Sequence, residues 1–272
     1  MTALALGGAT YGYLYLRSLE DSLRALAQAG FSRIELTPVP PHLYTPGYGL
    51  FERRRLGQLF RGLGARCVSV NPSFTDLNLI STNTEIRDLT LRQLLANMEL
   101  AHDLESPLLV VIQGRRNALI PTPEAEAVAV LEGQLERLLT RAAPLGVRVA
   151  LENSPYGFMQ TSADLAALVE RLADAQLGIA FDCANAFMNE DPAAGVERIG
   201  RHLLIAHVSD TWRHRWAHTS IGRGEVDFGR YADALRGLPF TGVTIYELVD
   251  GEDPDPRLAQ DLAELGRWGW TP

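Results

Sequence analysis

The chain contains no lysine: all 25 of its strongly basic residues are arginine. Arginine does not readily lose its proton, so it is a poor Schiff-base nucleophile. That excludes lysine-dependent aldolases, lysine-linked pyridoxal phosphate enzymes and Walker-type phosphate loops. Cysteine is nearly as scarce. Cys67 and Cys183 stand far apart with no CxxC pair and read as buried free thiols of a reducing cytoplasm. No apolar run approaches the length of about 18 residues that a membrane-spanning helix needs. No positive charge precedes Arg17 in MTALALGGATYGYLYLR, so a secretory leader is not expected there, and the segment reads as a first strand and loop of a cytoplasmic protein. The net charge of −8 argues against non-specific binding to nucleic acid or to a membrane surface.

What is present is a regular alternation. Short apolar runs at 4–6, 33–36, 67–70, 108–112, 147–151, 177–181, 203–206 and 243–246 are separated by longer amphipathic stretches. SLEDSLRALAQAG (18–30) has a Ser-x-x-Asp start and a glycine stop, and TSADLAALVERLADA (161–175) has a Thr or Ser cap followed by leucines and valines at helical spacing. The longest stretch, 122–146, runs to Pro144 and Gly146. Strands alternating with helices predict an α/β fold, a (β/α)8 barrel spanning residues 1–272 as one domain. TPVPPHLYTPGYG (37–49) is too rich in proline and glycine for a helix and is expected to be an irregular loop, in which His42, Tyr44 and Tyr48 could form a lid.

In such a barrel chemistry collects where the strands end. Those ends carry Glu35 in RIEL, Asn71 after CVSV, Gln113 after LLVVI, Glu152 after VAL, Asp182 after GIAF, His207 after LLIA and Glu247 after VTIY. Four successive strands ending Glu, Asp, His, Glu are hard to explain as isolated caps. Three carboxylates in one cup would repel unless some kept their protons or a cation sat among them. One divalent metal ion held by Glu152, Asp182, His207 and Glu247 resolves the conflict. Three oxygen donors, one nitrogen and no thiolate suit Mn²⁺, Mg²⁺, Co²⁺ or Zn²⁺, with Mn²⁺ favoured.

Glu152 in ALEN, Asp182 in FDCAN, His207 in HVSD, Glu247 in YEL and the stretch HTSIGRGEVDF (218–228) resemble the xylose-isomerase-like barrel superfamily, and within it the sugar isomerase/epimerase branch. The resemblance implies those four residues as metal ligands, with Glu152 and Glu247 also catalytic as the acid/base pair. It implies an isomerase or epimerase of a small sugar or keto-polyol that abstracts an α-proton through a metal-stabilised enediolate. A dehydratase of inosose or 3-dehydroshikimate type is the alternative. The zinc endonucleases of the same superfamily are a poorer match: where they use His, His, His and Asp, this chain carries Asn71, Gln113, Asn185 and Trp216, and His218 alone survives. No nucleic-acid partner is therefore expected, and a homo-oligomer is compatible with the resemblance.

Asn71, Gln113, Asn185, Arg213 and His218 are the expected substrate contacts. Arg115 and Arg116 follow the fourth strand and could hold a carboxylate or phosphate, but solvated surface arginines are the preferred reading. Arg223 lies between Gly222 and Gly224, whose amides could approach an anion, although a turn into the last helix accounts for the glycines equally well. His102 and His202 read as structural.

Overall fold

The computed structural model describes residues 2–73 and 76–272. In chain order its elements are β1 (Leu4–Ala9), α1 (Leu19–Gln28), β2 (Arg33–Leu36), α2 (Leu50–Gly62), β3 (Arg66–Val70), α3 (Thr84–Asp103), β4 (Leu108–Val111), α4 (Glu124–Leu145), β5 (Arg148–Glu152) and α5 (Ser162–Leu172). Then follow β6 (Leu177–Asp182), α6 (Cys183–Phe187), α7 (Pro192–Ile199), β7 (Leu203–Val208), β8 (Asp210–Trp212), β9 (Arg215–Thr219), α8 (Phe228–Gly237), β10 (Thr244–Tyr246), α9 (Asp255–Arg267) and β11 (Trp270–Thr271).

Parallel strands run β1 to β7 and then β10, and β10 pairs back onto β1. The result is a closed eight-stranded α/β barrel of a single domain, in agreement with the alternation in the sequence. Two features go beyond that pattern. The short strand β11 adds to β1 outside the barrel, and β8 and β9 form an antiparallel hairpin over the mouth end of β7.

The helix limits follow the local chemistry. Ser18 caps α1 by accepting from the amide of Asp21, and Thr161 and Asp164 form a reciprocal capping box on α5. Gly146 closes α4 in the left-handed conformation at φ +65°, which glycine adopts without steric cost. The 37–49 segment is irregular, with a 3-10 turn at Thr45–Gly47.

Two apolar layers result from strand alternation, since residues i and i+2 share a face. Val149, Leu151, Ile179, Phe181 and Val208 face the surrounding helices within the main core. Val68, Val110, Ala150, Ala180, Ile205 and Ile245 fill the barrel interior. One inward step beyond Ala150, Ala180, Ile205 and Ile245 stand Glu152, Asp182, His207 and Glu247. The strands end in polar groups because the next inward position lies at the mouth, where the apolar filling stops.

Candidate metal centre

Glu152, Asp182, His207 and Glu247 each offer one ligand atom, and these atoms lie within 4.8 Å of one another. All four residues are buried. Nδ1 of His207 is 2.8 Å from Oε1 of Glu152, 3.9 Å from Oδ2 of Asp182 and 4.0 Å from Oε2 of Glu247. Asp182 has two tasks. Its Oδ1 accepts the Asn185 amide at 2.6 Å and caps α6, whereas its Oδ2 is buried with no hydrogen-bond partner. A buried carboxylate oxygen without a donor is costly unless a cation lies beside it. Asn153 ties β5 to β6 by accepting from the Asp182 amide and donating to the Asp182 carbonyl.

The electrostatics point the same way. Burial pushes Glu247 well above the ordinary carboxylate range, and repulsion from Glu152, Asp182 and Glu35 adds to it. Burial also raises Glu152, against the opposing pull of His207. Burial disfavours charge on His207, but Glu35 and Glu152 outweigh it and raise the imidazole well above its usual value. The site as built is short of positive charge, which a divalent cation could supply.

A cavity of about 410 Å³ opens above this cluster. Glu152 and Glu247 line it together with Asn185, His218, Trp216 and Tyr156. Trp216 and Tyr156 meet edge to face with ring centroids 5.4 Å apart, and the Trp216 indole donates to Oδ1 of Asn185 at 2.7 Å. His218 stands 3.7 Å from both Asp182 and Glu247 and contacts the Ser209 hydroxyl at 3.0 Å. Burial holds the His218 ring below its ordinary pKa, against the attraction of Asp182.

Of the five expected substrate contacts, Asn185 and His218 line this cavity. The other three are engaged elsewhere. Asn71 is buried, donating to Glu35 at 3.1 Å and accepting from the Ser73 amide at 3.0 Å. Gln113 is buried and donates to the Glu152 carbonyl at 2.6 Å. Arg213 stacks over Phe187 at 4.1 Å and donates to the carbonyls of Phe187 and Glu190.

Other expectations are corrected. His42 bonds the Arg17 carbonyl at 3.1 Å, Tyr48 packs against the core, and neither lines the cavity; Tyr44, by contrast, borders a neighbouring depression. Arg115 is exposed, in keeping with the surface reading, and also borders the cavity, whereas Arg116 is half-buried over Phe158 and donates to the Thr122 carbonyl. The anion bound by the glycine-rich turn belongs to the chain itself. Asp210, buried at the start of β8, accepts from the amides of Gly222 and Gly224 at 2.9 and 2.8 Å and from Thr211 and Val226. A Cβ at position 224 would collide with the Asp210 carboxylate and the Thr211 carbonyl, so only glycine lets the turn close.

Residues that sequence reasoning passed over include Tyr11, which lines the cavity just past β1, and Tyr156. The available signal is that Tyr11 lies two residues beyond Ala9, the last residue of β1. Both cysteines are buried free thiols, and burial pushes Cys67 up to about 12. His102 bonds the Leu145 carbonyl, away from the mouth. Among the described residues no helix is long and apolar enough to cross a membrane.

Comparison with known proteins places this geometry in a family. Residues 23–268 match the xylose isomerase-like TIM barrel model, and the chain belongs to that family. An uncharacterized protein of Methanocaldococcus jannaschii is 27% identical over 236 residues, covering 85% of this chain and 79% of the relative. Among solved structures, a D-tagatose 3-epimerase-like protein superposes with a TM-score of 0.85 at 24% identity, covering 97% of this chain and 96% of the other. A D-psicose 3-epimerase gives 0.80 at 17% identity (97% and 98% covered). A 3-keto-D-glucoside 4-epimerase of E. coli gives 0.81 at 19% identity (97% and 99% covered).

Proposed function

We propose that this xylose isomerase-like barrel is a divalent-metal-dependent isomerase or epimerase acting on a small sugar or keto-polyol. One observation carries the reading. Glu152 and Glu247 each contribute to the four-residue cluster and also line the cavity, so each can touch both a metal ion and a substrate. The sugar epimerases among the similar folds support the same class.

Glu152, Asp182, His207 and Glu247 would hold the metal, with Mn²⁺ suited to three oxygens and one imidazole nitrogen. When bound, it would polarise the substrate carbonyl and stabilise negative charge on its oxygen. The protein supplies the remainder. One of the two glutamates takes the proton from the carbon next to the carbonyl, and the other returns a proton. Ligation lowers a carboxylate's basicity, so the glutamate that acts as base would bind the ion through one oxygen and keep the other for the proton. Asn185, already fixed by Trp216, and His218 face the space where sugar hydroxyls would lie. Trp216 and Tyr156 offer an apolar wall for a C–H face of the sugar.

The test is exchange of substrate hydrogen with D₂O in the Mn²⁺-loaded protein. Glu152→Gln and Glu247→Gln are each expected to slow exchange by roughly 10²–10⁴-fold. Undiminished exchange in both variants would remove the acid/base assignment. Exchange accompanied by a new enone absorbance would replace epimerisation with dehydration.

A further inference from the structure

We propose that Glu35 is a positioning residue for His207, keeping hydrogen on Nε2 so that Nδ1 is the nitrogen that offers its lone pair to an ion in the cup of Glu152, Asp182 and Glu247. This rests on the metal-dependent reading above. Glu35 lies outside the four-residue cluster, on β2, and reaches across the barrel interior to β7. It is fully buried, and its Oε2 is 3.1 Å from Nε2 of His207.

The rest of its surroundings define its role. Ser69 donates to Oε2 at 2.7 Å and Asn71 donates to Oε1 at 3.1 Å, both from the neighbouring β3 edge. Both carboxylate oxygens therefore already accept, and the group facing Nε2 is an acceptor. An acceptor there requires Nε2 to be the donor. Nδ1 faces an acceptor as well, Oε1 of Glu152, so without an ion the ring is held as a double donor. With an ion in the cup Nδ1 would give up its proton and present its lone pair, while Nε2, held by Glu35, keeps its hydrogen. Nδ1 is the nitrogen within 2.8–4.0 Å of Glu152, Asp182 and Glu247. A metal-binding imidazole held by a carboxylate on its far nitrogen is both oriented and made a better donor. This also gives Asn71 and Ser69 a function: they hold the holder.

The experiment titrates Mn²⁺ into the full chain by calorimetry and reads the His207 tautomer by ¹⁵N NMR of the Zn²⁺-loaded protein. Wild type is expected to show a protonated Nε2 and a metal-bound Nδ1. Glu35→Ala is expected to bind Mn²⁺ roughly 10–100-fold more weakly and to lose the single-tautomer signal, whereas Glu35→Gln, which keeps an acceptor oxygen, should fall between the two. A protonated Nδ1 in wild type, or an Ala variant binding within about twofold of wild type, would overturn the proposal while leaving the metal site standing. A wild type that binds neither metal would overturn both. Should the Ala variant not fold, the wild-type tautomer decides alone.

Discussion

Buried charges in this chain come in two kinds, and Asp210 separates them from the cluster at the mouth. Four backbone amides satisfy its carboxylate, so it needs no cation and leaves no oxygen free. Asp182, equally buried, has one oxygen satisfied by an amide and the other bare. The difference predicts opposite consequences of substitution. Asp210→Ala leaves several amides of the glycine-rich turn without partners, and unsatisfied buried donors cost about 1–3 kcal/mol each before relaxation. The expected outcome is a loss on the order of 2–4 kcal/mol in chemical denaturation, measured without added metal. Asp182→Ala, by the same measurement, should cost less, because its bare oxygen is itself unfavourable; Mn²⁺ binding would be lost instead. A stability loss for Asp182→Ala exceeding that for Asp210→Ala would contradict this division.

At the level of elements, the caps act independently of the chemistry. The Thr161–Asp164 box starts α5 on the outer ring, and Thr161→Ala is expected to cost about 1 kcal/mol with Mn²⁺ affinity unchanged; a parallel change in affinity would show that α5 reports to the mouth. Strand and helix alternation was legible because each element has its own period and its own stop signal, as in the 18–30 and 161–175 stretches. The four mouth residues were legible for the same reason: a polar residue two positions beyond an inward apolar one must face the mouth. Asn71, Gln113 and Arg213 show where that logic stops. A strand end fixes where a side chain begins, whereas the bond it makes depends on which neighbouring carbonyl or carboxylate lies within reach, and that neighbour comes from another strand. Gln113 reaches the Glu152 carbonyl, 39 residues away in sequence, and Asn71 reaches Glu35, 36 residues away. The β8–β9 hairpin escaped the pattern because WRHRW lacks the glycine or asparagine that usually marks a tight turn.

For the molecule as a whole, the cluster draws its four members from neighbouring strands of the closed barrel. Glu152, Asp182, His207 and Glu247 come from β5, β6 and β7 and from the residue after β10, strands that are successive neighbours in the barrel. A cation held by all four would bind the folded barrel and not the open chain, so it must raise stability. At a hundredfold excess over its Kd the gain is about 2.7 kcal/mol, and each kcal/mol moves Tm by roughly 2–4 °C in a domain approaching this size. The sign of the pH dependence follows from the carboxyls. Burial raises Glu152 and Glu247, so both keep protons to higher pH than ordinary glutamates, and those protons compete with the metal. The Mn²⁺-induced rise in Tm is therefore expected to be large near about pH 8 and to shrink toward about pH 5 as the ligands take up protons. It should be reversed by EDTA at the higher pH. Calorimetric scans with and without MnCl₂ at the two pH values measure this directly. A rise of equal size at both would mean that the ion sits on groups already ionised, at the surface and away from the mouth.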